Sequence, residues 1–503
     1  MNRIFLFMKK IGDTPVAWHY FVTSFFFVLL IRNFIEMFSD HTEIDFRSYL
    51  HFEASYVVIA LLLLLILHFF TRAKIIPLLK LVCAGFIILW LPPLFDLLVS
   101  GGGGFDMTYL LPGVHDNLLP RFLTFFGSFD AGNGITPGIR LEVALVVIAS
   151  GIYIKGSTGS WGRTVLGALS VYAAIFWYLS VPFSIRIFMN WFDLSDVTAN
   201  LATTRLNFFL LVLFPLLLLT FHRIRPDYFR AVLRDIRFTR LIHYWLMFLL
   251  GIVATVKGFG ILRVDDALYY FFFLLIAIAL AWLFAVMTNN IADQDIDAVS
   301  NSDRPLIKKS IPLVDYKKII WVVFILLLLY SSLAGFRFIF LILCFTGSYW
   351  LYSMPPFRLK RLPVFSKVFI GFNALLMMLL GFAFSGGLVN ELPKVLIFLL
   401  LIPFSLGANF IDLKDYEGDK KAGIKTLPVL LGMRRAQWLI GLMWLAGYSA
   451  LPFFLQDVTF LLPVALICGG VSFWALTRRD YQEKFVFYPY LTILIFLLVA
   501  HMS

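Results

Sequence analysis

Long apolar runs, separated by short polar stretches, dominate the chain. Runs of about 20 residues recur from end to end, and an α-helix of that length crosses a bilayer. Up to residue 221 the pattern predicts six spans, near residues 17–35, 54–71, 76–99, 141–155, 164–182 and 206–221. Beyond residue 240 it predicts nine, near residues 241–257, 267–288, 318–335, 338–353, 367–386, 394–411, 436–455, 459–476 and 485–502. The pattern therefore predicts an all-α polytopic membrane protein.

A basic stretch separates the two groups of spans. Its arginines alternate with Phe229, Val232 and Ile236, which predicts an amphipathic helix on the membrane surface. We therefore expect an N-terminal transmembrane domain over residues 1–221, a linker helix over 222–240 and a second membrane domain over 241–503. No candidate chemistry is found in residues 1–221. A scaffold, a unit that docks a protein partner and a substrate vestibule remain open as its role.

The distribution of charge orients the second group of spans. The chain is 61% hydrophobic and 14% charged, with a net charge of +12. After residue 221, 24 lysines and arginines fall in loops on one side and 4 in loops on the other. The positive-inside rule makes the basic side cytoplasmic. The charge therefore indicates a lipid bilayer and an anionic substrate as partners and no nucleic acid. Cys83, Cys344 and Cys468 lie within apolar spans, and we expect them to be inert packing residues.

Two acidic stretches stand out against this apolar background. Asn289, Asp293 and Asp297 follow one apolar run at positions i, i+4 and i+8. On a helix this spacing places three oxygen-bearing side chains on one face. The charge pattern predicts that this stretch lies on the cytoplasmic side.

The second acidic stretch ends another apolar run four spans later. Asp412, Asp415 and Asp419 sit at positions i, i+3 and i+7, which again is one helical face. It is predicted on the same side as the first stretch. The two could therefore face each other across a ring of helices.

Carboxylates this dense at membrane depth repel one another, so their charge has to be compensated. A divalent cation would compensate it, because Mg²⁺ joins one or two carboxylates to substrate phosphates. Two facing acidic helix ends could thus hold a diphosphate through Mg²⁺. The alternatives are solvated loop caps without a ligand and a secondary transporter that uses the acidic groups for ion coupling. Transporters carry such groups near the bilayer midplane, whereas these lie at helix ends beside basic loops.

With these pieces assembled, residues of about 235–503 resemble the UbiA-type intramembrane prenyltransferase superfamily. Its first motif, N-x-x-x-D-x-x-x-D, is matched by the first acidic stretch, and Asp303–Leu306 is similar to the D-R-P-[IL] that follows. Its second motif, D-x-x-D-x-x-x-D and then G-x-[KR]-T, is matched by the second stretch and Gly423–Thr426. Between them, Tyr352–Lys360 resembles a Y-S-x-P-P-x-x-L-K loop. The chain departs where the family usually has a Ser-Gly pair and here has Lys308-Lys309-Ser310.

The resemblance implies a nine-helix bundle around a cavity and a Mg²⁺-dependent transfer of a prenyl group. The donor is an isoprenyl diphosphate, and the acceptor is hydrophobic or aromatic, such as a quinone precursor or a lipid. The implied metal-binding and catalytic residues are Asp293, Asp297, Asp415 and Asp419, with Asn289 and Asp412 completing or orienting the metal shell. The implied diphosphate ligands are Arg304, Tyr352, Arg358, Lys360 and Lys425.

Several of these residues have a simpler alternative. The four basic ones could be ordinary loop charges, and Tyr352 could be an interfacial anchor. Asn373, a polar residue in an apolar span, is predicted to line the cavity, with a hydrogen bond to a neighbouring helix as the alternative. Prenyl length and acceptor identity are not set by these motifs.

Overall fold

The structure is a computed structural model of the chain. It describes residues 2–40, 46–105, 108–110, 118–127, 135–194, 202–264, 266–300, 303–362, 365–421 and 423–501. Over these ranges the chain forms helices and no strands. Twelve helices are long and apolar enough to cross a membrane. The predicted all-α polytopic membrane fold is therefore confirmed.

The chain divides into two compact units, Met1–Pro226 and Asp227–Ser503. The helices of the first unit are α1 Asn2–Asp13, α2 Trp18–Asp40, α3 Phe46–Thr71, α4 Ile75–Gly85, α5 Leu91–Val99, α6 Leu118–Leu123, α7 Pro137–Thr158, α8 Trp161–Leu179, α9 Val181–Asn190 and α10 Ala202–Ile224. Six candidate spans in this unit coincide with the six predicted ones. One of them joins α4 and α5 through a 3₁₀ turn, Phe86–Trp90.

Local capping explains where α7 and α8 begin and end. The Thr136 hydroxyl accepts a hydrogen bond from the Ile139 amide at 3.2 Å, and Pro137 occupies the first helical position. Gly159 ends α7 at φ +68°, a left-handed conformation that glycine adopts without strain. Ser160 then caps α8 through the Arg163 amide. These signals place the turn between the two spans.

The apolar helices of the first unit also enclose polar side chains. Arg32 forms an ion pair with Glu36 one turn along α2 and lies 5.3 Å from the centre of the Tyr56 ring. His51 is 3% exposed and shares a 2.8 Å hydrogen bond with the Tyr109 hydroxyl. Such groups are stable among apolar helices only when they pair with one another, which they do here.

The helices of the second unit are α11 Pro226–Asp235, α12 Phe238–Val253, α13 Ala267–Ala292, α14 Gln294–Ser300, α15 Leu313–Ala334, α16 Phe336–Ser353, α17 Phe365–Phe384, α18 Lys394–Leu399, α19 Ser405–Gly407, α20 Tyr416–Lys421, α21 Leu427–Leu431, α22 Met433–Phe454, α23 Val458–Thr477 and α24 Lys484–Ala500. A π-helical turn, Leu400–Phe404, and a 3₁₀ turn, Ala408–Leu413, extend α18 and α19 into one segment. The described part of this unit thus has nine long helical segments at the places of the nine predicted spans, and six of them are among the twelve candidate spans. The two most buried of its candidate spans are those of α17 and α13, at 72% and 67% buried, and α13 is apolar on every face along most of its length.

The range predicted as a linker helix, residues 222–240, is helical only in part. It contains the end of α10, the whole of α11 and the start of α12, and the axes of α11 and α12 differ by 59°. The bend falls at Arg237, whose φ of +50° is incompatible with a continuous right-handed helix. Asp235 fixes the end of α11, because it accepts hydrogen bonds from the Tyr316 hydroxyl at 2.8 Å and the Asn290 amide at 3.0 Å.

Two glycines allow α12 and α17 to cross closely. A Cβ added at Gly381 would lie 1.8 Å from the Phe248 carbonyl oxygen, and one added at Gly251 would lie 2.0 Å from that of Met378. Each contact involves backbone, so a side chain would have to push the helices apart. Small residues at such crossings are the usual device for close packing of membrane helices.

We expect Gly381→Ala to lower the free energy of unfolding by about 1–3 kcal/mol, the usual cost of overpacking. The measurement is unfolding of the purified full chain in mild detergent. Gly470→Ala on α23 is the matched control, since an added Cβ meets no atom within 4 Å there. Equal stability of the two variants would contradict the close crossing.

Candidate active site

The first acidic stretch lies where α13 ends. The expected single helix is interrupted, because α13 stops at Ala292 and α14 begins at Gln294. Hydrogen bonds nevertheless continue through the break, from the Asp293 amide to the Asn289 carbonyl at 3.0 Å and from the Asp297 amide to the Asp293 carbonyl at 2.8 Å. The i, i+4, i+8 relation is therefore kept, and all three side chains line the same cavity.

The second acidic stretch follows the distorted segment that contains α18 and α19. Pro403 has no amide hydrogen, which accounts for the π-helical turn before the motif. The Asp415 amide donates to the Asp412 carbonyl at 3.2 Å, and the Asp419 amide to the Asp415 carbonyl at 2.8 Å. These bonds keep the three carboxylates on one side, and they line the same cavity as the first stretch.

Both motifs therefore meet at a single cavity within the second unit. Its polar end contains the six motif residues, and its deeper wall contains Tyr244, Trp282 and Tyr349. The Tyr244 and Tyr349 hydroxyls share a hydrogen bond, and the Trp282 indole donates to the Ile236 carbonyl at 2.5 Å. The wall thus presents aromatic faces beside a charged end.

Basic side chains face the motif carboxylates. Asp293 accepts hydrogen bonds from Lys360 and, at 3.1 Å, from Arg358. Asp412 accepts one from Lys367 at 2.5 Å. The pairing compensates carboxylates that are buried and would otherwise be costly.

Arg304 lies between two carboxylates without a close ion pair to either. Its guanidinium is 3.9 Å from Asp297 and 4.0 Å from Asp235. Its side chain is 15% exposed and lines the cavity. The D-R-P-L segment therefore places a cation at the acidic end of the cavity.

The loop that lacks the family's glycine keeps a tight turn. The Ser310 amide donates to the Pro305 carbonyl at 2.9 Å, and the Lys308 amide to the Arg304 carbonyl at 2.9 Å. Lys309 adopts φ +54°, the left-handed region that glycine favours. The loop thus closes on Arg304 without the glycine, at the cost of a strained lysine.

The structure separates the other predicted site residues. Tyr352 and Lys360 line the cavity, whereas Arg358 reaches Asp293 from outside the lining. Lys425 is exposed and does not line the cavity. Asn373 is 1% exposed and lies between α16 and α17, where its amide oxygen accepts from Ser348 and its amide nitrogen donates to the Phe369 carbonyl. The helix-to-helix alternative for Asn373 is thus the observed one.

Four basic side chains that line the cavity were not predicted as site residues from the sequence. They are Arg237, Arg240, Lys367 and Lys414. In sequence all four resemble the other residues of the basic loops, so the pattern predicts no more than loop charges. A folded chain was needed to show which of these charges turn inward.

A carboxylate outside the lining holds two of these cations in place. Glu483, at the start of α24, pairs with Arg240 and with Lys414, each at 2.6 Å. Burial opposes ionisation of Glu483, but the two cations outweigh it and lower its pKa to about 2. α24, α12 and the second acidic stretch are thereby tied together at the cavity mouth.

The acidic end of the cavity is chemically suited to a divalent cation. Burial, with the neighbouring Asp412 and Asp415, raises the pKa of Asp419 to about 7. A cation beside such a group would relieve the repulsion that raises its pKa. Among the described residues, no three His, Cys, Asp or Glu side chains converge on one point. The donor set therefore fits Mg²⁺ that takes one or two carboxylates and completes its shell with phosphate oxygens.

Comparison with known proteins identifies the second unit. The model of the UbiA prenyltransferase family matches residues 245–498. Digeranylgeranylglyceryl phosphate synthase of Pyrococcus abyssi is 30% identical over 148 residues, which are 29% of this chain and 52% of that protein. The bacteriochlorophyll synthase 33 kDa chain of Rhodobacter capsulatus is 28% identical over 212 residues, 40% of this chain and 69% of that protein.

The matches to the first curated relatives cover only part of this chain and part of each relative. The chain spans about half the length of the first curated relatives it matches. A UbiA homologue from Archaeoglobus fulgidus, solved with GPP and Mg²⁺, is 19% identical with a TM-score of 0.43, and the match covers 54% of this chain and 98% of that one. The family model alone covers half of the chain, in the part that carries both acidic motifs. The chain therefore belongs to the UbiA prenyltransferase family.

Proposed function

We propose that residues 241–503 transfer a prenyl group from an allylic isoprenoid diphosphate to a membrane-associated acceptor, with release of diphosphate. The observation that carries this proposal is the convergence of two acidic motifs, from separate helices, on one cavity that also contains cations and aromatic rings. Carboxylates bind divalent metal, cations bind phosphate oxygens, and apolar walls hold the prenyl group. A transporter has no comparable use for this combination.

In this proposal the two motifs divide the work. Asp293 and Asp297 hold one Mg²⁺, and Asp415 and Asp419 hold a second. Bound Mg²⁺ stabilises the negative charge that develops on the leaving diphosphate. Asn289, fixed by a 2.8 Å hydrogen bond from the Ser353 hydroxyl, orients the first pair.

The basic residues then serve the diphosphate. Lys360 and Lys367 pair with Asp293 and Asp412 and line the cavity, and in this proposal they also donate to phosphate oxygens of the donor. Arg304 and Arg240 contribute further positive charge at the same end. Charge neutralisation of this kind lowers the barrier to breaking the allylic C–O bond.

In the chemical step one bond to the allylic carbon is replaced by another. The C–O bond breaks, and its electron pair leaves with the diphosphate. The acceptor's nucleophilic atom donates an electron pair to the allylic carbon and then loses its proton. The faces of Tyr244, Tyr349 and Trp282 stabilise the allylic cation and keep water away from it. By the positive-inside rule the basic loops favour a cytoplasmic polar end, which supports a meeting of donor and acceptor at the inner leaflet.

The test uses membranes from a host that expresses the full chain. Labelled prenyl diphosphates are added with Mg²⁺, and lipid extracts are examined by mass spectrometry. We expect label in a new lipid-soluble product and release of diphosphate. Excess EDTA should abolish both, and added Mg²⁺ should restore them. Unchanged activity in EDTA, or label that crosses the membrane without diphosphate release, would reject the proposal.

A further inference from the structure

One face of α12 and of the bend before it forms part of the wall of the polar cavity. The lining takes four residues from this stretch, at intervals of three or four, namely Arg237, Arg240, His243 and Tyr244. Arg240 lies at the end that we assign to the diphosphate. His243 follows almost one turn later, about 4.5 Å further along the axis at 1.5 Å of rise per residue. The His243 imidazole therefore lies beyond the diphosphate end, at the depth that the proposed function gives to the allylic carbon.

Aromatic rings surround His243, which is 5% exposed. Its ring is stacked on that of Phe404, with 5.4 Å between the centroids and an angle of 23° between the planes. The Tyr490 ring lies 5.4 Å away, also measured between centroids. The Tyr244 ring, to which we assigned stabilisation of the allylic cation, lies 4.8 Å away. Packing thus fixes the imidazole beside a residue that faces the reacting carbon in the proposed function.

The two ring nitrogens of His243 have different surroundings. Nδ1 shares a 2.8 Å hydrogen bond with the Tyr490 hydroxyl on α24. Nε2 is buried and has no hydrogen-bond partner among the described residues. Buried polar atoms are nearly always paired, because leaving one unpaired is costly. Since His243 lines the cavity, a substrate bound there is in a position to pair with Nε2.

The surroundings of His243 favour a neutral imidazole. Burial among rings disfavours the charged form, and so does the Arg240 guanidinium almost one turn away on α12. A neutral imidazole does not repel an allylic cation, and its unprotonated nitrogen is able to take up a proton. When Nδ1–H donates to the Tyr490 oxygen, that unprotonated nitrogen is Nε2. The nitrogen that faces no protein partner is then the basic one.

Prenyl transfer requires a group that takes the proton of the acceptor. Resting on the function proposed above, we propose that His243 is the catalytic base that removes this proton. As the attacking atom of the acceptor bonds to the allylic carbon, its bond to hydrogen breaks. The proton goes to Nε2, and the electron pair of the broken bond stays on the acceptor and cancels its positive charge. Tyr490 holds the ring through Nδ1 as a positioning residue, and Nε2 returns the proton to water after the product leaves.

The first experiment separates binding of the donor from transfer. Binding is measured with geranyl thiolodiphosphate, which resists hydrolysis, on the full chain in detergent with Mg²⁺. His243→Gln should bind it within about twofold of the wild type, because a base for the acceptor acts only during transfer. Transfer of labelled prenyl groups in membranes should fall by roughly 100-fold or more, the usual contribution of a general base. His19→Gln, at an exposed histidine of α2, is the matched control and should leave both unchanged.

The second experiment asks whether a basic nitrogen is what the variants lack. In His243→Ala, added imidazole should raise the rate of transfer by roughly tenfold or more. Pyrrole has the same ring shape and an N–H group but no basic nitrogen, so it should not restore the rate. Equal restoration by both compounds, or by neither, would overturn the proposal. If neither His243 variant folds, Tyr490→Phe decides, with an expected loss of transfer of about tenfold at unchanged binding; unchanged transfer in it would overturn the proposal.

The same measurements separate this proposal from the proposed function. If the wild type transfers label and His243→Gln does so at the same rate, only the role of His243 as a base fails. The same holds if His243→Gln loses binding of the thiolodiphosphate in proportion to its loss of transfer. If the wild type forms no labelled lipid-soluble product with Mg²⁺, both proposals fail.

Discussion

Asp293→Asn should lower the rate of prenyl transfer by about 10³-fold or more, because in the proposed function this carboxylate is a charged metal ligand at the leaving group. Asparagine keeps the shape of the side chain and an oxygen that can still accept from Arg358 and Lys360. The protein is therefore expected to insert and fold normally. The measurement is labelled product formed per unit time by the purified full chain at saturating Mg²⁺.

The same loss is expected for Asp415→Asn, since the second motif lines the same cavity as the first. Asp227→Asn is the matched control, because its carboxylate is 82% exposed and pairs with Arg230 at the surface of α11. That control should retain wild-type activity. Full activity of either motif variant would show that the carboxylate does not hold a catalytic metal.

Glu483→Ala is expected to be the most destabilising single change at the cavity mouth. It strands Arg240 and Lys414, whose side chains are 17% and 27% exposed, without their carboxylate. Removing one partner of a buried ion pair costs about 3–5 kcal/mol, and residual exposure brings the expected loss to about 2–4 kcal/mol. Unfolding of the purified protein in detergent measures it.

The stability that Glu483 contributes should also depend on pH. The pKa of Glu483 is lowered from 4.5 to about 2 by its two cations. A lowered carboxylate pKa contributes stability that is fully present above the unfolded value and is lost as pH falls toward the folded value. The stability gap between the wild type and Glu483→Gln should therefore be full above pH 4.5 and shrink between pH 4.5 and about 2. A gap that does not change with pH would contradict the ion-pair role.

The sequence alone revealed both acidic motifs, but it did not reveal which basic residues lie beside them. The spacing of Asn289, Asp293 and Asp297 survives the helix break, because hydrogen bonds from residue i+4 continue through it. The roles suggested for Asn373 and Lys425 depended on side-chain direction, and neither residue is among those that line the cavity. The type and spacing of residues do not determine in which direction a side chain points in the folded chain.

Hydrophobic period and length alone determined the class of this protein, its spans and the ends of helices at which the acidic residues lie. These follow from local physics, since a lipid-embedded backbone must satisfy its own hydrogen bonds and so forms helices of fixed length. Only the tertiary structure decided which basic residues turn inward, which aromatic rings line the cavity and where Glu483 meets Arg240. The contact between Glu483 and Arg240 joins residues 243 positions apart, and packing between helices sets it rather than any local preference.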